Sequence, residues 1–356
     1  MSDAMASRFE LQAAQEGICL GPAGPFPSQP PSDVLERRWL HYSFLTADGR
    51  LGMAANIAHL GPAAEDPLRR DRTTSIILLH ETGVGWRTSQ YNAAIAGPLW
   101  SAFRRPQGLG EPGQLELRSK SGNAGVSYAV HRTSHPCAFQ CVSFAGDHHM
   151  RWQSETGLYA RGDWCYGDRV YRDVEAFGYN ERVRGRWGWP EIGGWIWGYT
   201  NDNAGAPGAA PPTAVVFSLI QPQAPPDAAT GSVIVWRHGR VVRHFPRRLV
   251  TMAGRGRLDR DRVSQFPALG NLLGTGPTPP IPARLTVCGR MGADWVAIDF
   301  ASMDAARVVV PCETSLDAYR VHEVIGRCEV EGRIGGKPIA FAAPAIVEFS
   351  GGAGGE

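Results

Sequence analysis

The segment WLHYSFLTADGRLGMAANI, residues 39–57, decides the fold. Its first strand carries apolar side chains at alternate positions, Leu40, Tyr42 and Phe44, and the side chains of an extended strand point to opposite faces in turn. Asp48-Gly49 then supplies a tight turn, after which residues 51–57 return as a second strand. The segment therefore predicts an antiparallel hairpin with one apolar face.

Short runs of the same character recur along the chain and are separated by turn residues. They are residues 74–79, 114–118, 126–132, 139–144, 215–220, 232–236, 241–245, 285–288, 295–300, 319–330 and 346–349. Glycine (43) and proline (27) make up about a fifth of the 356 residues, which suits many strands joined by turns. Residues 256–274 are the best helix candidate, and residues 91–105 could form one or two helical turns. The pattern predicts a mainly β fold with two antiparallel barrel-like halves and few short helices.

Composition divides the chain into five parts. Residues 1–35 form an N-terminal extension interrupted by Gly-Pro pairs, and residues 36–202 hold the first set of strands. The segment 203–212, rich in Pro, Gly and Ala, is either a linker between domains or a long hairpin loop. Residues 213–350 hold the second set of strands, and residues 351–356 form a flexible tail. The sequence thus predicts two β domains.

Charge and composition argue against several classes of function. The formal net charge is only +2, so no broad positive surface is available for nucleic acid. No apolar run is long enough to span a membrane, and no secretory signal is visible. The seven cysteines are scattered without a Cys-x-x-Cys pair, which fits reduced thiols in a cytoplasmic protein. Association with a membrane surface and the oligomeric state stay open.

The segment 178–202 combines aromatic, basic and acidic residues. It contains four of the eleven tryptophans within eleven residues, and two tyrosines flank them: Trp187, Trp189, Trp195, Trp197, Tyr179 and Tyr199. These rings could simply fill a core, with the interleaved arginines paired to the acids. Alternatively, they form a pocket in which a buried carboxyl has a raised pKa and donates a proton, while the indole faces stabilise a cation.

Three parts of the chain resemble the carotenoid 1,2-hydratase (hydroxyneurosporene synthase) and AttH-like family. They are Trp39-Leu-His-Tyr42 with the Asp48-Gly49 turn, the mid-chain Gly178-Tyr-Asn180 with Trp187-Gly-Trp189, and the closing Val330-Glu-Gly-Arg-Ile-Gly-Gly-Lys-Pro-Ile339 with Ile346-Val-Glu-Phe349. The resemblance is spread over residues 36–350 and implies two lipocalin-like barrels. Members of this superfamily include hydratases, terpenoid cyclases and polyketide pericyclases, so the resemblance implies chemistry of these kinds without choosing among them.

The family's mid-chain motif, Tyr-x-Asp-His-x-Trp-Gly, is altered in this chain. Its Asp and His are absent from Gly178-Tyr-Asn-Glu-Arg182 and from Arg186-Trp-Gly-Trp189. The resemblance therefore implies that Glu181 or Glu191 takes the place of the acid. Asp202 and Tyr179 are the further catalytic candidates.

Together these features predict an enzyme without metal or nucleotide cofactor that acts on a hydrophobic polyene, terpenoid or polyketide in a barrel cavity. The residues expected to bind this substrate are Arg186, Trp187, Trp189, Trp195, Trp197, Tyr199 and His80. Hydration, cyclisation or isomerisation by a general acid is the expected reaction. The alternatives are a pericyclase of secondary metabolism, which needs mainly a shaped cavity, and a non-catalytic carrier of lipids or isoprenoids.

Other ionisable pairs are weaker candidates. His80-Glu81 could act as acid and base at a strand end, although a hydrogen-bonded structural histidine is the commoner outcome. His322-Glu323 has the same ambiguity. Asp147-His148-His149 lacks the spacing of a metal site, because adjacent residues of a strand point to opposite faces. We therefore expect no metal.

Overall fold

The structure, a computed structural model, describes residues 35–60, 72–93, 112–118, 124–203, 209–223, 229–266, 280–311 and 318–351. The strands are β1 (Glu36–Leu45), β2 (Leu51–Leu60), β3 (Arg72–Glu81), β4 (Gly85–Ala93), β5 (Pro112–Arg118), β6 (Ala124–Arg132), β7 (Gln140–Ser143), β8 (His149–Tyr166), β9 (Arg169–Arg186), β10 (Ile192–Asn201), β11 (Ala214–Pro222), β12 (Thr230–Arg237), β13 (Arg240–Pro246), β14 (Val250–Arg255), β15 (Val263–Phe266), β16 (Arg284–Met291), β17 (Asp294–Pro311), β18 (Ala318–Ile334) and β19 (Lys337–Gly351). Single 3-10 turns lie at Trp189–Glu191, Arg247–Leu249 and Arg260–Arg262.

The strands form two sheets that repeat one topology. The order is β4-β3-β2-β1-β9-β8-β6-β5 in the first sheet, with β7 beside β8, and β13-β12-β11-β10-β19-β18-β17-β16-β14 in the second, with β15 beside β17. The pairing of β15 with β17 is parallel, and the other described pairings are antiparallel. In each half the first strand lies between the second and the last. The predicted mainly β fold with two antiparallel halves is confirmed.

Alternating side chains build three apolar cores. One face of the first sheet surrounds a core that includes Phe44 and Trp164, and one face of the second surrounds a core that includes Phe217 and Phe300. The opposite faces of both sheets contribute to a third core, which we call the shared core. Its members include Tyr179, Val183 and Trp187 from the first sheet and Trp195, Trp197 and Ile346 from the second. The two halves therefore pack against each other through the shared core.

The predicted hairpin turns are present. Gly49 has a φ of +72°, and its N–H donates to the carbonyl of Thr46 over 2.9 Å. His238 and Gly239 have φ values of +53° and +73°, which is the left-handed pair that a tight β-hairpin turn requires. Both turns join antiparallel strands, as the sequence predicts.

The passage from the first sheet to the second comes earlier than expected. β10 was grouped with residues 36–202, but it pairs with β11 and β19 of the second sheet because those strands complete its backbone hydrogen bonds. The segment 203–212 joins β10 to β11, which are paired in the second sheet, and residues 204–208 of it lie outside the described residues. The change of sheet lies between Arg186 and Ile192.

The helix expected over 256–274 is wrong for the part that the structure describes. Residues 260–262 form a single 3-10 turn, and residues 263–266 form β15, whose partner β17 is distant in sequence. Residues 91–93 belong to β4. The rest of the expectations for 91–105 and 256–274, and those for residues 1–34 and 352–356, lie outside the described residues. Within the described ranges, no helix has the length and apolar character to cross a bilayer.

Candidate functional site

Two rows of paired residues, one on each sheet, bring ionisable side chains into the shared core. In the first sheet, His41 of β1 lies opposite Glu181 of β9. In the second sheet, Trp197 of β10 lies opposite Glu348 of β19, which lies opposite Glu323 of β18. Directly paired residues of neighbouring strands point to the same face of a sheet, so the side chains of each row lie side by side on one face.

The two rows meet across the shared core. The imidazole ring of His41 lies edge-on to the indole of Trp197, with 5.1 Å between ring centroids. One nitrogen of His41 and one carboxyl oxygen each of Glu323 and Glu348 all lie within 4.8 Å of one another. We call Glu181, Glu323, Glu348 and His41 the acid cluster.

Tyr179 connects the acid cluster to the tryptophans. Its hydroxyl lies 2.9 Å from Oε1 of Glu181 and 2.8 Å from Oγ of Ser154, and it accepts a hydrogen bond from the indole N–H of Trp197 over 3.1 Å. The indole N–H of Trp195 donates to Oε1 of Glu348. These bonds fix two of the three carboxyls relative to the aromatic rings.

The carboxyls of the acid cluster all have raised pKa values. Burial raises the pKa of Glu181 to about 8, and the nearby charge of Glu348 adds to this although the bond from Tyr179 opposes it. Burial also raises the pKa of Glu323 well above its usual value and raises that of Glu348. Like charges so close together cannot all be ionised in a low-dielectric core. The cluster therefore holds protons at neutral pH.

His41 shows the opposite response to the same surroundings. Burial lowers its pKa to about 4, because a dehydrated imidazole is more easily kept neutral than charged. Its backbone carbonyl accepts a bond from the side chain of Asn180 over 2.9 Å, which holds β1 and β9 together at this point. The site thus combines protonated carboxyls with a neutral imidazole.

The four members of the acid cluster differ in exposure. His41 and Glu323 are buried, whereas Glu181 and Glu348 keep part of their surface accessible. Burial is nevertheless the largest cause of the raised pKa of both Glu181 and Glu348, so many protein atoms surround them. A carboxyl that is dehydrated and still accessible is positioned to meet a small molecule rather than bulk water.

Stacked aromatic rings extend from Glu348. Trp189, Trp195 and Tyr319 lie nearly parallel to one another, with centroids 5.0 to 5.8 Å apart. Trp39 continues the stack at 6.4 Å from Trp189, and the guanidinium of Arg37 lies 5.3 Å from the Trp189 ring. Such faces attract positive charge.

The structure brings together four of the predicted site residues. Glu181, Tyr179, Trp195 and Trp197 all belong to the site described above. They lie between the two sheets and not in the cavity of one barrel, because the side of β9 and β10 that carries them faces the shared core. Tyr199 is next to them, with its hydroxyl donating to the carbonyl of Gly178 over 2.9 Å.

The other predicted tryptophans lie at one end of this region. Trp187 is fully buried in the shared core, with its ring edge-on to Trp39 at 5.2 Å, and its carbonyl accepts a bond from Nε of Arg37 over 2.8 Å. Trp189 is partly exposed and joins the aromatic stack. Both are close to the site through the stack of aromatic rings.

Glu191, the first-named candidate for the acid, lies outside the acid cluster. One carboxyl oxygen accepts the N–H of Gly188 over 2.7 Å, and the other lies 2.7 Å from Nδ1 of His148. Glu191 therefore caps the 3-10 turn 189–191 and ties it to the loop before β8. Its place at the end of this turn keeps it away from the inward-facing row of β9.

Two other predicted residues also have structural surroundings. Oδ2 of Asp202 accepts the N–H of Thr213 over 3.1 Å and closes the β10–β11 hairpin. Arg186 ends β9 and pairs with Asp147 at the surface over 2.8 Å. Neither residue belongs to the acid cluster, so the substrate-orienting role expected for Arg186 has no support from this position.

His80 is part of a separate buried pair. Its Nε2 lies 3.1 Å from Oδ2 of Asp304, so the pair joins β3 of the first sheet to β17 of the second. The ring of Trp86 lies 5.1 Å from that of His80, and Arg262 approaches Asp304 at 3.4 Å. Glu81, the sequence neighbour of His80, instead bonds with Arg169 and Tyr171.

Three members of the acid cluster were not identified as site residues from the sequence, although Glu323 was weighed as half of a weak His-Glu pair. His41 alternates with the apolar residues of β1, so its side chain points to the opposite face of the strand. The second sheet covers that face. Glu348 interrupts the apolar run Ile346–Phe349. A carboxyl within an otherwise apolar strand is the signal that could have identified it.

His41, Glu323 and Glu348 also have the composition of a metal site. One imidazole nitrogen and two carboxyl oxygens suit a divalent cation, and within the described residues this is the group with that arrangement. Asp147-His148-His149, from which no metal site is expected, is divided among other partners, since His148 bonds with Glu191 and Asp147 with Arg186.

Comparison with known proteins shows the fold. No family model and no curated protein matches the chain. Among solved structures, a protein of Nitrosomonas europaea assigned to AttH is similar over 91% of this chain and 98% of its own, with a TM-score of 0.59 and 13% identity. Kievitone hydratase of Nectria haematococca is similar over 90% of both chains, with a TM-score of 0.53 and 13% identity.

A third similar structure is that of CghA. It matches over 94% of this chain and 96% of its own, with a TM-score of 0.50 and 12% identity. At such identities the likeness establishes the shared two-sheet architecture and leaves the chemistry to the residues of the site. The resemblance stated from the sequence is confirmed at the level of the fold.

Proposed function

We propose that the protein is an enzyme that protonates an alkene of a hydrophobic small molecule bound between the two sheets. Hydration, cyclisation or isomerisation then follows from the cation that forms. The observation that carries this proposal is the placement of the Glu181 carboxyl beside the shared core, where it accepts a hydrogen bond from the Tyr179 hydroxyl and where burial raises its pKa to about 8. The proposal needs no organic cofactor and no metal.

The pKa of Glu181 suits a general acid. A proton donor is most effective when its pKa lies near the working pH, since it is then both protonated and acidic enough to transfer its proton. A value of about 8 meets this condition, whereas an ordinary glutamic acid is ionised at pH 7. Tyr179 acts as a positioning residue, because its hydroxyl contacts Glu181 and its ring packs 4.7 Å from Trp197.

The tryptophans supply what the intermediate needs. Protonation of an alkene produces a carbocation, which water would capture at random in an open site. The indoles of Trp195 and Trp197 line the shared core beside Glu348 and Glu181 and present electron-rich surfaces to a positive charge. The surrounding apolar core also suits a substrate with a large hydrophobic surface.

The similar structures agree with this reading without deciding it. One of them is named as a hydratase, and a hydratase adds water to its substrate. A pericyclase would need mainly the shaped aromatic site, and a carrier would need only its apolar surface. Neither alternative explains why three carboxyls are placed in the shared core, where each costs free energy to dehydrate.

The proposal is tested by turnover in D₂O. Purified protein is incubated with lycopene, squalene and a prenylated phenol, and the products are measured by mass spectrometry. Hydration adds D₂O, acid-triggered cyclisation or isomerisation places one deuterium on carbon without adding oxygen, and a pericyclic reaction incorporates no deuterium. We expect Glu181→Gln to lower turnover about 10²- to 10⁴-fold, the usual contribution of a general acid.

The matched control is Glu331→Gln, which makes the same change at an exposed position of β18. It should turn over substrate like the wild type. The proposal is wrong if Glu181→Gln is as active as this control, or if the product forms without deuterium. Tight binding of these alkenes without any turnover would also contradict it and would favour a carrier.

A further inference from the structure

Two buried polar atoms of the acid cluster lack a partner. Nε2 of His41 and Oε2 of Glu323 have no hydrogen bond from any described residue, although both side chains are at least nine-tenths buried. A buried polar atom without a partner has lost its bonds to water without replacement, so such atoms are usually bonded to something. Both atoms belong to residues of the trio His41, Glu323 and Glu348.

The spacing of the trio fits one small molecule. Its three polar atoms lie within 4.8 Å of one another. Because every edge of this triangle is at most 4.8 Å, one point lies within about 2.8 Å of all three corners, so a single oxygen atom there is within hydrogen-bond reach of each. Buried waters typically make about three hydrogen bonds to polar groups that would otherwise be unpaired.

We infer that His41, Glu323 and Glu348 hold the water molecule that adds to the substrate, with His41 as the base that accepts its proton. This inference rests on the proposed function and narrows it to hydration. The water donates one hydrogen to Nε2 of His41 and accepts from a protonated carboxyl of Glu323 or Glu348. Its second lone pair is then free to attack the cation.

The electrostatics of the site favour this arrangement. A neutral imidazole can accept a proton, and burial keeps His41 neutral by lowering its pKa to about 4. The groups that face it are the indole of Trp197 from β10 and the carboxyls of Glu181, Glu323 and Glu348. The carboxyl that becomes negative when Glu181 gives up its proton stabilises the imidazolium that forms.

The steps balance without an oxidant or reductant. The Glu181 carboxyl transfers its proton to one alkene carbon, so a C–H bond forms, the π bond breaks and a cation remains on the other carbon. The oxygen of the water forms a C–O bond to that cation while one of its protons passes to His41. The imidazolium returns this proton to the carboxylate of Glu181, which lies opposite His41 in the β1–β9 register. The net reaction is addition of water.

The first test needs no substrate. A crystal structure of the wild-type protein should show a water within hydrogen-bond distance of Nε2 of His41 and of a carboxyl oxygen of Glu323 or Glu348. His41→Leu should lose this water. The inference is overturned if no water is found there, or if elemental analysis of the purified protein finds a stoichiometric divalent metal that His41→Leu removes.

The second test separates protonation from water addition, using whichever alkene of the panel is turned over. In D₂O, His41→Leu should form the hydrated product about 10²- to 10⁴-fold more slowly. It should still place deuterium in the alkene, because Glu181 is intact and the cation then loses a proton. Glu181→Gln should lose both reactions, and His244→Gln, at an exposed position of β13, should lose neither.

The outcomes distinguish the inference from the function on which it rests. If Glu181→Gln is inactive but His41→Leu hydrates like the wild type, the proposed function stands and the water site is wrong. If His41→Leu abolishes deuterium incorporation as well, His41 acts in protonation and the inference is also wrong. Circular dichroism checks that His41→Leu is folded. If His41→Leu is not folded, His41→Gln, which keeps a polar side chain, is used in its place. The same two outcomes apply to His41→Gln.

Discussion

At the residue scale, the raised pKa of Glu181 makes stability depend on pH. Its ordinary value of 4.5 applies in the unfolded chain, and about 8 applies in the folded protein. Between these values the folded state binds the proton and the unfolded state does not, so stability falls as pH rises, by up to about 1.4 kcal/mol per pH unit for a full proton. Above about pH 8 the contribution of this group is fully lost.

His41 changes stability in the opposite direction. Its pKa falls from 6.5 to about 4 on folding, so between these values the unfolded state binds more protons and stability rises with pH. The two effects partly cancel below about pH 6.5. Above pH 6.5 the contribution of the histidines with lowered pKa values fades, so towards pH 8 the carboxyls of the acid cluster dominate, and this is the range in which Glu181 can be measured.

We predict that the free energy of unfolding decreases from pH 6.5 to 8 and that Glu181→Gln makes this decrease shallower. Glu323 and Glu348 have shifts of the same sign, so part of the slope should remain in the variant. Urea unfolding at several pH values measures the effect, with Glu331→Gln as the control that keeps the wild-type slope. An unchanged slope in Glu181→Gln would show that this carboxyl is ionised in the folded protein.

Of the acid cluster, the sequence identified Glu181, together with its neighbour Tyr179, for a reason that is visible in the strands. Glu181 and Tyr179 stand among tryptophans, and that density of rings indicates a site. His41 alternates with three apolar side chains, a pattern that assigns it to the solvent face of a one-sided sheet. That face is covered by residues more than 140 positions away, and no local pattern reports such a partner.

At the scale of the element, the turn 189–191 separates the two sheets and Glu191 stabilises it. We predict that Glu191→Ala lowers the free energy of unfolding by about 1 kcal/mol, the typical effect of losing a helix cap. Turnover should be unaffected, because the carboxyl contacts Gly188 and His148 and not the acid cluster. Urea unfolding and the D₂O assay measure the two effects separately.

Glu191→Gln is the matched variant, since its side-chain oxygen can still accept the N–H of Gly188. It should keep most of the stability that Glu191→Ala loses. If Glu191→Gln instead loses turnover while remaining folded, then Glu191 is the acid after all and the assignment of Glu181 fails.

The sequence predicted strands better than their partners. Most of the short alternating runs are strands, and the hairpin turns lie where Gly supplies a positive φ. The sequence assigns β10 to the first set of strands, whereas it belongs to the second sheet. The Pro- and Gly-rich segment after β10 is a clearer boundary signal in the sequence than the short turn before it. The segment 256–274 was expected to be helical, but residues 263–266 of it pair with β17 and form a strand instead. Local propensity is often overridden by such distant pairing.

At the scale of the whole molecule, the site exists only where both sheets are present. His41 and Glu181 come from the first sheet, and Glu323, Glu348 and Trp197 come from the second. Each half also has its own apolar core, so the shared core is available for polar groups that neither half needs for its own packing. The relative position of the two sheets therefore sets the geometry of the candidate site.

The His80–Asp304 pair is a direct link between the halves. His80 is completely buried, and its Nε2 lies 3.1 Å from Oδ2 of Asp304. This hydrogen bond is the largest cause that lowers the pKa of Asp304 below its usual 3.8. A carboxyl with a lowered pKa contributes stability above its unfolded pKa, and that contribution is lost as the pH falls through the folded value.

We predict a coupling free energy of about 1–3 kcal/mol between His80→Gln and Asp304→Asn in a double-mutant cycle at pH 7, the range measured for residues in direct contact. Urea unfolding of the wild type, both single variants and the double variant gives this value. The exposed pair Arg284–Asp299, at 3.0 Å within the second sheet, is the control and should show almost no coupling. Because the His80–Asp304 pair joins the two sheets, each of its single variants should hold the two rows of the acid cluster less firmly. Each should therefore also slow turnover without removing deuterium incorporation. If the His80 and Asp304 variants are additive in stability, this pair does not help to hold the two halves together.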